Sequence, residues 1–156
     1  DIAEDCGINR MTFYYHFKDI YDLVEWSCME DARKALAEKK TCDTWQQGLL
    51  QIFEAVRENK PFILNVYHCV HQERVETYLK PLVDSLLMGV IDEEAAGLTV
   101  REEDRRFIAQ VYGYVFIGIM MDWIREDMHT QPEEIVEPLA RLMKGSVREA
   151  LLRFAL

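Results

Sequence analysis

Between residues 9 and 18 the chain gathers Arg10, Thr12, Tyr14, Tyr15, His16 and Lys18, all hydrogen-bond donors. Such groups meet phosphate oxygens and base edges. Met11 adds an apolar tip that can touch a thymine methyl group. The spacing implies a helix. Phe13 and Phe17, four apart, fall on one face and form its buried back, while the other side chains point elsewhere. Asn9 can cap this helix by accepting from its free N–H groups. Gly7 can end a preceding helix at positive φ, with Ile8 as an apolar plug in the turn. A short helix with this back and this polar, aromatic front suits a DNA major groove.

A second chemical cluster is Tyr67-His68-Cys69-Val70-His71 with Glu73. His68 and His71 are three apart on a helix and could share a metal ion, but no third ligand follows at motif distance. Adjacent residues on a helix do not face each other, so Cys69 and a neighbouring His make a poor nucleophilic dyad. No catalytic residue, metal site or cofactor is expected, and the chain is not expected to be an enzyme. The histidines serve either as polar lining of a ligand cavity or as satisfied structural groups. Trp45, Phe53, Tyr67, Tyr78, Tyr112, Phe116, Met120 and Trp123 spread aromatic and soft apolar groups over several helices. Most of these are core. Tyr and Trp also put polar tips on an apolar wall, which suits a small organic ligand. The candidate cavity residues are Tyr67, His68, His71, Tyr78, Tyr112, Phe116 and Trp123. Asp122 either joins such a cavity or pairs with an Arg such as Arg125.

The elements that must position these groups read almost wholly as helix. Asp19 can cap a helix from about Ile20 to Lys40, with Leu23, Trp26, Ala32 and Leu36 inward. Thr41 to Thr44 break the chain. A helix from about Thr44 to Asn59 turns Trp45, Leu49, Ile52, Phe53 and Val56 inward. Pro61 opens a short helix to about Val70. The next spans about Gln72 to Ala96, with a kink or break expected at Pro81, and Gly97 stops it. Val100 to His129 is apolar on more than one side, and Gly113 and Gly118 permit close approach of another helix. Pro132 opens a last helix to about Phe154. The two C-terminal helices, about 104–128 and 133–154, carry more apolar surface than one small bundle needs. That excess is expected to form a homodimer interface.

Composition sets the bounds. The chain has 156 residues, 49% hydrophobic and 29% charged, as in globular proteins with a sizeable core. The longest apolar run, Val111 to Met121, is short for a bilayer and ends at Asp122, so no membrane partner is expected. Cys6, Cys28, Cys42 and Cys69 form no C-x-x-C pair, which fits reduced thiols and a cytoplasmic location. A net charge of −10 argues against DNA binding through the whole surface. A recognition helix needs only a local patch, which Arg10, His16 and Lys18 could partly supply.

The stretch Gly7 to Tyr21 resembles the second half of the helix-turn-helix of TetR-family transcriptional regulators. The wider match runs from Asp1 to Leu23, with Ile2-Ala3 as the core of the preceding helix and Thr12-Phe13-Tyr14-x-His16-Phe17 as its most specific part. The later helices are similar to a subgroup that includes regulators of dihydroxyacetone kinase operons, through Trp45 to Leu49, Glu58-Asn59-Lys60, Tyr78-Leu79, Trp123-Ile124, Met128 and Pro132-Glu133. The resemblance implies an all-α, TetR-like fold. Residues 1–19 would be a partial helix-turn-helix and residues 20–156 an antiparallel helical domain for ligand binding and dimerisation. It implies base contacts from Arg10, Met11 and Tyr14, with phosphate contacts from Thr12, Tyr15 and His16. Asn9 and Lys18 complete the expected DNA-binding set. The implied partners are a double-stranded DNA operator, a second copy through the two C-terminal helices, and a small organic effector. A protein co-regulator is the alternative. The chain begins at Asp1 without a Met, so a preceding segment is expected, holding the first helix of the DNA-binding domain. One departure stands out: Ile20 occupies a position where the family usually has a phosphate-binding Lys, a loss Lys18 could offset.

Overall fold

A computed structural model describes residues 2–36, 40, 41, 43–70 and 72–156. Ala32 and Ile2, expected to face inward, and Cys28, Cys42 and His71 lie outside the described side chains. The chain folds as α1 (Ile2–Asp5), α2 (Arg10–His16), α3 (Ile20–Leu36), α4 (Trp45–Glu58), α5 (Lys60–Asn65), α6 (Gln72–Glu94), α7 (Glu102–Arg125), α8 (Pro132–Met143) and α9 (Ser146–Phe154). A π-helical turn at Val66–Val70 follows α5. Among the described residues there is no strand.

α6 is the hub. α7 runs along it, α3 and α4 pack on another side, and α9 rests on both α6 and α7. The cause is the stripe of apolar residues each helix carries. On α4, Leu49, Ile52, Phe53 and Val56 recur at three and four and are buried. They meet the α6 row Val75, Leu79, Leu82, Val83 and Leu86, and on α7 Phe116, Met120 and Ile124. Burying each such side chain contributes about 1.5–3 kcal/mol, and this core holds the outer helices in register.

Three local outcomes differ from the sequence expectations. Pro81 neither breaks nor ends α6, which is one helix from Gln72 to Glu94. An interior Pro costs about 3 kcal/mol. Tyr78, Leu79, Leu82 and Val83, buried on both sides of it, outweigh that cost. The expected last helix is two: Gly145 adopts φ +75 and separates α8 from α9. Glycine bears that conformation without a Cβ clash, and Ser146 Oγ donates to the Met143 carbonyl at 2.8 Å across the break. The break lets α8 pack on α4 while α9 turns back onto α6 and α7. Finally, the apolar part of α7 extends beyond the run Val111–Met121, through Phe107 and Ile108 on one side and Trp123 and Ile124 on the other. Its best 18-residue window has a mean hydropathy of 1.5, enough by length and composition for a membrane span, with 44% of that window buried in the fold. Ile108, Ala109, Gly113, Phe116 and Met120 supply the packed side. Phe107, Val111, Tyr114 and Val115 stay exposed on the other.

Candidate nucleic-acid interface and ligand cavity

The turn before α2 forms as its residue types require. Gly7 takes φ +64, and the Ile8 N–H donates to the Ala3 carbonyl at 2.9 Å, closing the end of α1. Asn9 is extended, and its side-chain oxygen accepts from the Met11 N–H at 2.9 Å. That bond fixes the first turn of α2. Phe13 and Phe17 lie side by side, ring centroids 5.7 Å apart. They are half-buried rather than fully buried, and Ile8 is exposed instead of plugging the turn. The described elements behind them are α1 and the Trp26 face of α3. The opposite side of α2 is open: Met11 is 78% exposed, Tyr14 66% and Tyr15 86%. Arg10, Thr12, His16 and Lys18 are exposed with them.

α2 is tied to α3 by a short, polar hinge. The Asp19 carboxylate accepts from the Asp22 N–H at 2.9 Å, and the Asp22 carboxylate accepts from the Lys18 N–H at 2.9 Å. Asp19 thus caps α3 as its position predicted, with Asp22 answering in the reverse direction. Arg74 of α6 lies 3.9 Å from Asp19. Phe17 meets Trp26 edge-on at 6.0 Å. Trp26 is therefore mostly exposed on the α2 side, not turned into the core as its helical position suggested. Ile20, at the start of α3, is also exposed.

Behind the hinge lies an open cavity of about 700 Å³, walled by α3, α4, α5 and α6. Its apolar walls include Trp26, Met29, Ile52, Phe62, Tyr78 and Leu82, and its carboxylates are Glu25, Glu54 and Glu58. Tyr78 is 7% exposed. Its hydroxyl lies beside Glu25 and Arg74 yet completes no hydrogen bond of normal geometry. Burial and the neighbouring Glu25 carboxylate push that hydroxyl up to about 12. Glu25 is itself raised above the ordinary carboxylate value, first by burial and then by Asp22, against the pull of Arg74. The side-chain oxygen of Gln51 is a further buried acceptor without a partner. A smaller cavity of about 310 Å³ lies between α4, α6, α7, α8 and α9, beside the stacked rings of Trp45 and Phe116.

The candidate residues from the sequence do not gather around one space. Tyr78 lines the large cavity, whereas Phe116 lines the small one. Trp123 is held in the core, edge-on to Phe53 at 5.0 Å, and its indole N–H donates to the Thr130 carbonyl at 2.8 Å. Tyr112 donates to Ser146 Oγ at 3.0 Å. Tyr67 is buried and His68 is exposed. Asp122 is exposed and pairs with Arg125. Sequence reasoning passed over Glu25, Gln51, Glu54, Glu58 and Phe62. One signal was available: Glu54 and Glu58 flank the buried stripe of α4 four residues apart, putting two acids on one edge of it.

The region from Asp43 onward matches the family model described as "Transcriptional regulator C-terminal region", a TetR-type domain, over residues 43–145. No curated protein sequence matches the chain. Among solved structures, that of "Dihydroxyacetone kinase operon activator DhaS" is similar in fold, with a TM-score of 0.64 and 18% identity, over 99% of this chain and 84% of that one. An all-α body with a short helix-turn-helix end, matched by that family model over most of its length, belongs to the TetR family of transcriptional regulators.

Proposed function

We propose that this regulator binds operator DNA as a homodimer, reads bases with α2, and is controlled by a small organic effector in the α3–α6 cavity. The observation that carries the reading is the placement of α3. Its first turn holds α2 through Asp19, Asp22 and the Phe17–Trp26 contact, and its next turn walls the cavity with Glu25 and Trp26. An effector that prefers one position of α3 then biases the position of α2 by its differential affinity. Residues 1–19 act as the DNA-reading part and residues 20–156 as the effector and dimer part. Arg10, Met11 and Tyr14 face bases. Asn9, Thr12, Tyr15, His16 and Lys18 serve the backbone and the cap. The effector cavity is the one lined by Tyr78, with Glu25, Trp26, Gln51 and Phe62 joining it. The α7 residues Phe107, Val111, Tyr114 and Val115, with the α9 residue Leu152, form the apolar surface offered to a second copy. Phe107 and Phe154 join α7 to the end of α9, rings 6.3 Å apart.

Selection of bound duplexes from random DNA with the full-length protein tests the reading. A two-fold symmetric motif is expected, since two α2 helices from a symmetric dimer read two half-sites. Loss of any sequence enrichment refutes it.

A second reading, a partner-dependent co-regulator with weak DNA affinity of its own, is favoured by one observation. Ile20 is exposed at the start of α3, where the family usually places a phosphate-binding Lys, and the chain carries a net charge of −10. In that case the same selection yields a motif only when the partner is present.

A further inference from the structure

We infer that the α3–α6 cavity takes an organic cation with an apolar body, its charge met by Glu25, Glu54 and Glu58 and its body by Trp26, Phe62 and Tyr78. This rests on reading that cavity as the effector site. The first argument is charge. Three carboxylates line the space, and among the described residues no Lys, Arg or His does. Of the nearest cations, two are engaged elsewhere: Arg57 donates to the Gln131 side chain at 2.7 Å, and Lys60 pairs with Asp127 at 3.2 Å. Arg74, beside Glu25 and Tyr78, is shared with Asp19 outside the cavity, at 3.9 Å. Glu54 and Glu58, four apart on α4, repel each other, so helix stability does not explain the pair.

The second argument is polar satisfaction. Tyr78 lines the cavity and is almost wholly buried, and its hydroxyl, though beside Glu25 and Arg74, completes no hydrogen bond of normal geometry; the buried Gln51 oxygen has no partner. Buried polar atoms are normally satisfied. A ligand bearing N–H donors satisfies a phenol oxygen, an amide oxygen and a carboxylate together. The raised state of Glu25 agrees, since partial burial and the Asp22 carboxylate make it costlier to ionise even with Arg74 nearby. Aromatic faces complete the match, because the negative face of Trp, Tyr or Phe attracts a cation. An anionic effector would meet three like charges and, among the described lining residues, only the neutral donors of Trp26, Ser27, Gln51, Asn59 and Tyr78.

A series of one shape and three charges tests this: 2-naphthamidine, 2-naphthamide and 2-naphthoate, titrated by calorimetry into the intact protein. The amidine is expected to bind about tenfold or more tighter than the amide, and the naphthoate more weakly still. Glu25→Gln and Glu54→Gln, each checked by circular dichroism, should weaken the amidine more than the amide and so bring the two affinities together. Equal binding of amidine and amide, or tighter binding of naphthoate, overturns the cation assignment and leaves the cavity as a binding site. Failure of all three to bind overturns both. If the amidine binds as expected but leaves operator affinity unchanged, the cation assignment stands and effector control through this cavity falls.

Discussion

α2 and α7 both expose large side chains, but with different company. On α2, Met11, Tyr14 and Tyr15 alternate with Arg10, Thr12, His16 and Lys18, so nearly every apolar surface has a donor beside it. On α7, Phe107, Val111, Tyr114 and Val115 form a stripe broken by Gln110 and Gly118, with charges kept to the ends at Glu102, Arg106, Asp122 and Arg125. The first surface suits a wet, negatively charged partner whose phosphates need donors. The second suits a dry, self-complementary contact, since an apolar stripe without interspersed charge gains by leaving water. Exposure alone does not distinguish them. The polar groups between the exposed side chains do.

The comparison breaks most sharply at Val111. Val111→Asp should dissociate the proposed dimer, because a two-fold contact through α7 would bury a pair of unpartnered carboxylates at a cost of at least about 3–5 kcal/mol. Sedimentation velocity should show monomer with an unchanged helical circular dichroism spectrum. A persistent dimer would move the interface off α7.

On α2 the expected effects are smaller and differ in kind. Arg10→Ala should cost about 1–3 kcal/mol on the best site and relax preference at one base pair. His16→Ala should weaken all sequences alike and flatten the salt dependence of binding. If the two variants behave identically in the selected motif, α2 does not read bases. Ile20→Lys should strengthen binding to every duplex and steepen the salt dependence by about 0.9 per subunit, the value for one added phosphate contact. No change on filter binding across a salt series would place the start of α3 away from the backbone.

The smallest expected effect lies between the two surfaces, at Glu25. Burial raises its carboxyl above the unfolded value, so the folded state binds the proton more tightly than the unfolded chain does. Stability then falls as pH rises from the ordinary carboxylate value through the raised one. Glu25→Gln should accordingly melt slightly higher than the native protein at pH 7, and the two melting curves should converge near pH 4. A gap that widens on acidification would reverse the assignment.

The helical class, the capped turn into α2, the cap at Asp19 and the inward stripe of α4 were all legible in the sequence. Each is set by neighbours within about one or two helical turns, and local chemistry suffices to read them. The exposed row of donors on α2 was legible for the same reason, since one short helix carries it. The cavity was not. Its walls come from α3, α4, α5 and α6, and whether an aromatic residue is core or lining depends on which helix covers it. Trp123 looked like lining and is covered, and Phe116 faces a separate, smaller cavity, whereas Glu25 and Glu58, which the sequence did not single out as lining, line the large one. The fate of Pro81 and Gly145 was likewise decided by packing. Pro81 stays inside a helix because buried residues on both sides hold it, and Gly145 breaks one because α9 gains a place against α6 and α7. Local sequence sets where a helix can start, which face is apolar and which side chains sit together on it. Which space is left between four helices is a property of their mutual packing, and only the tertiary structure determines it.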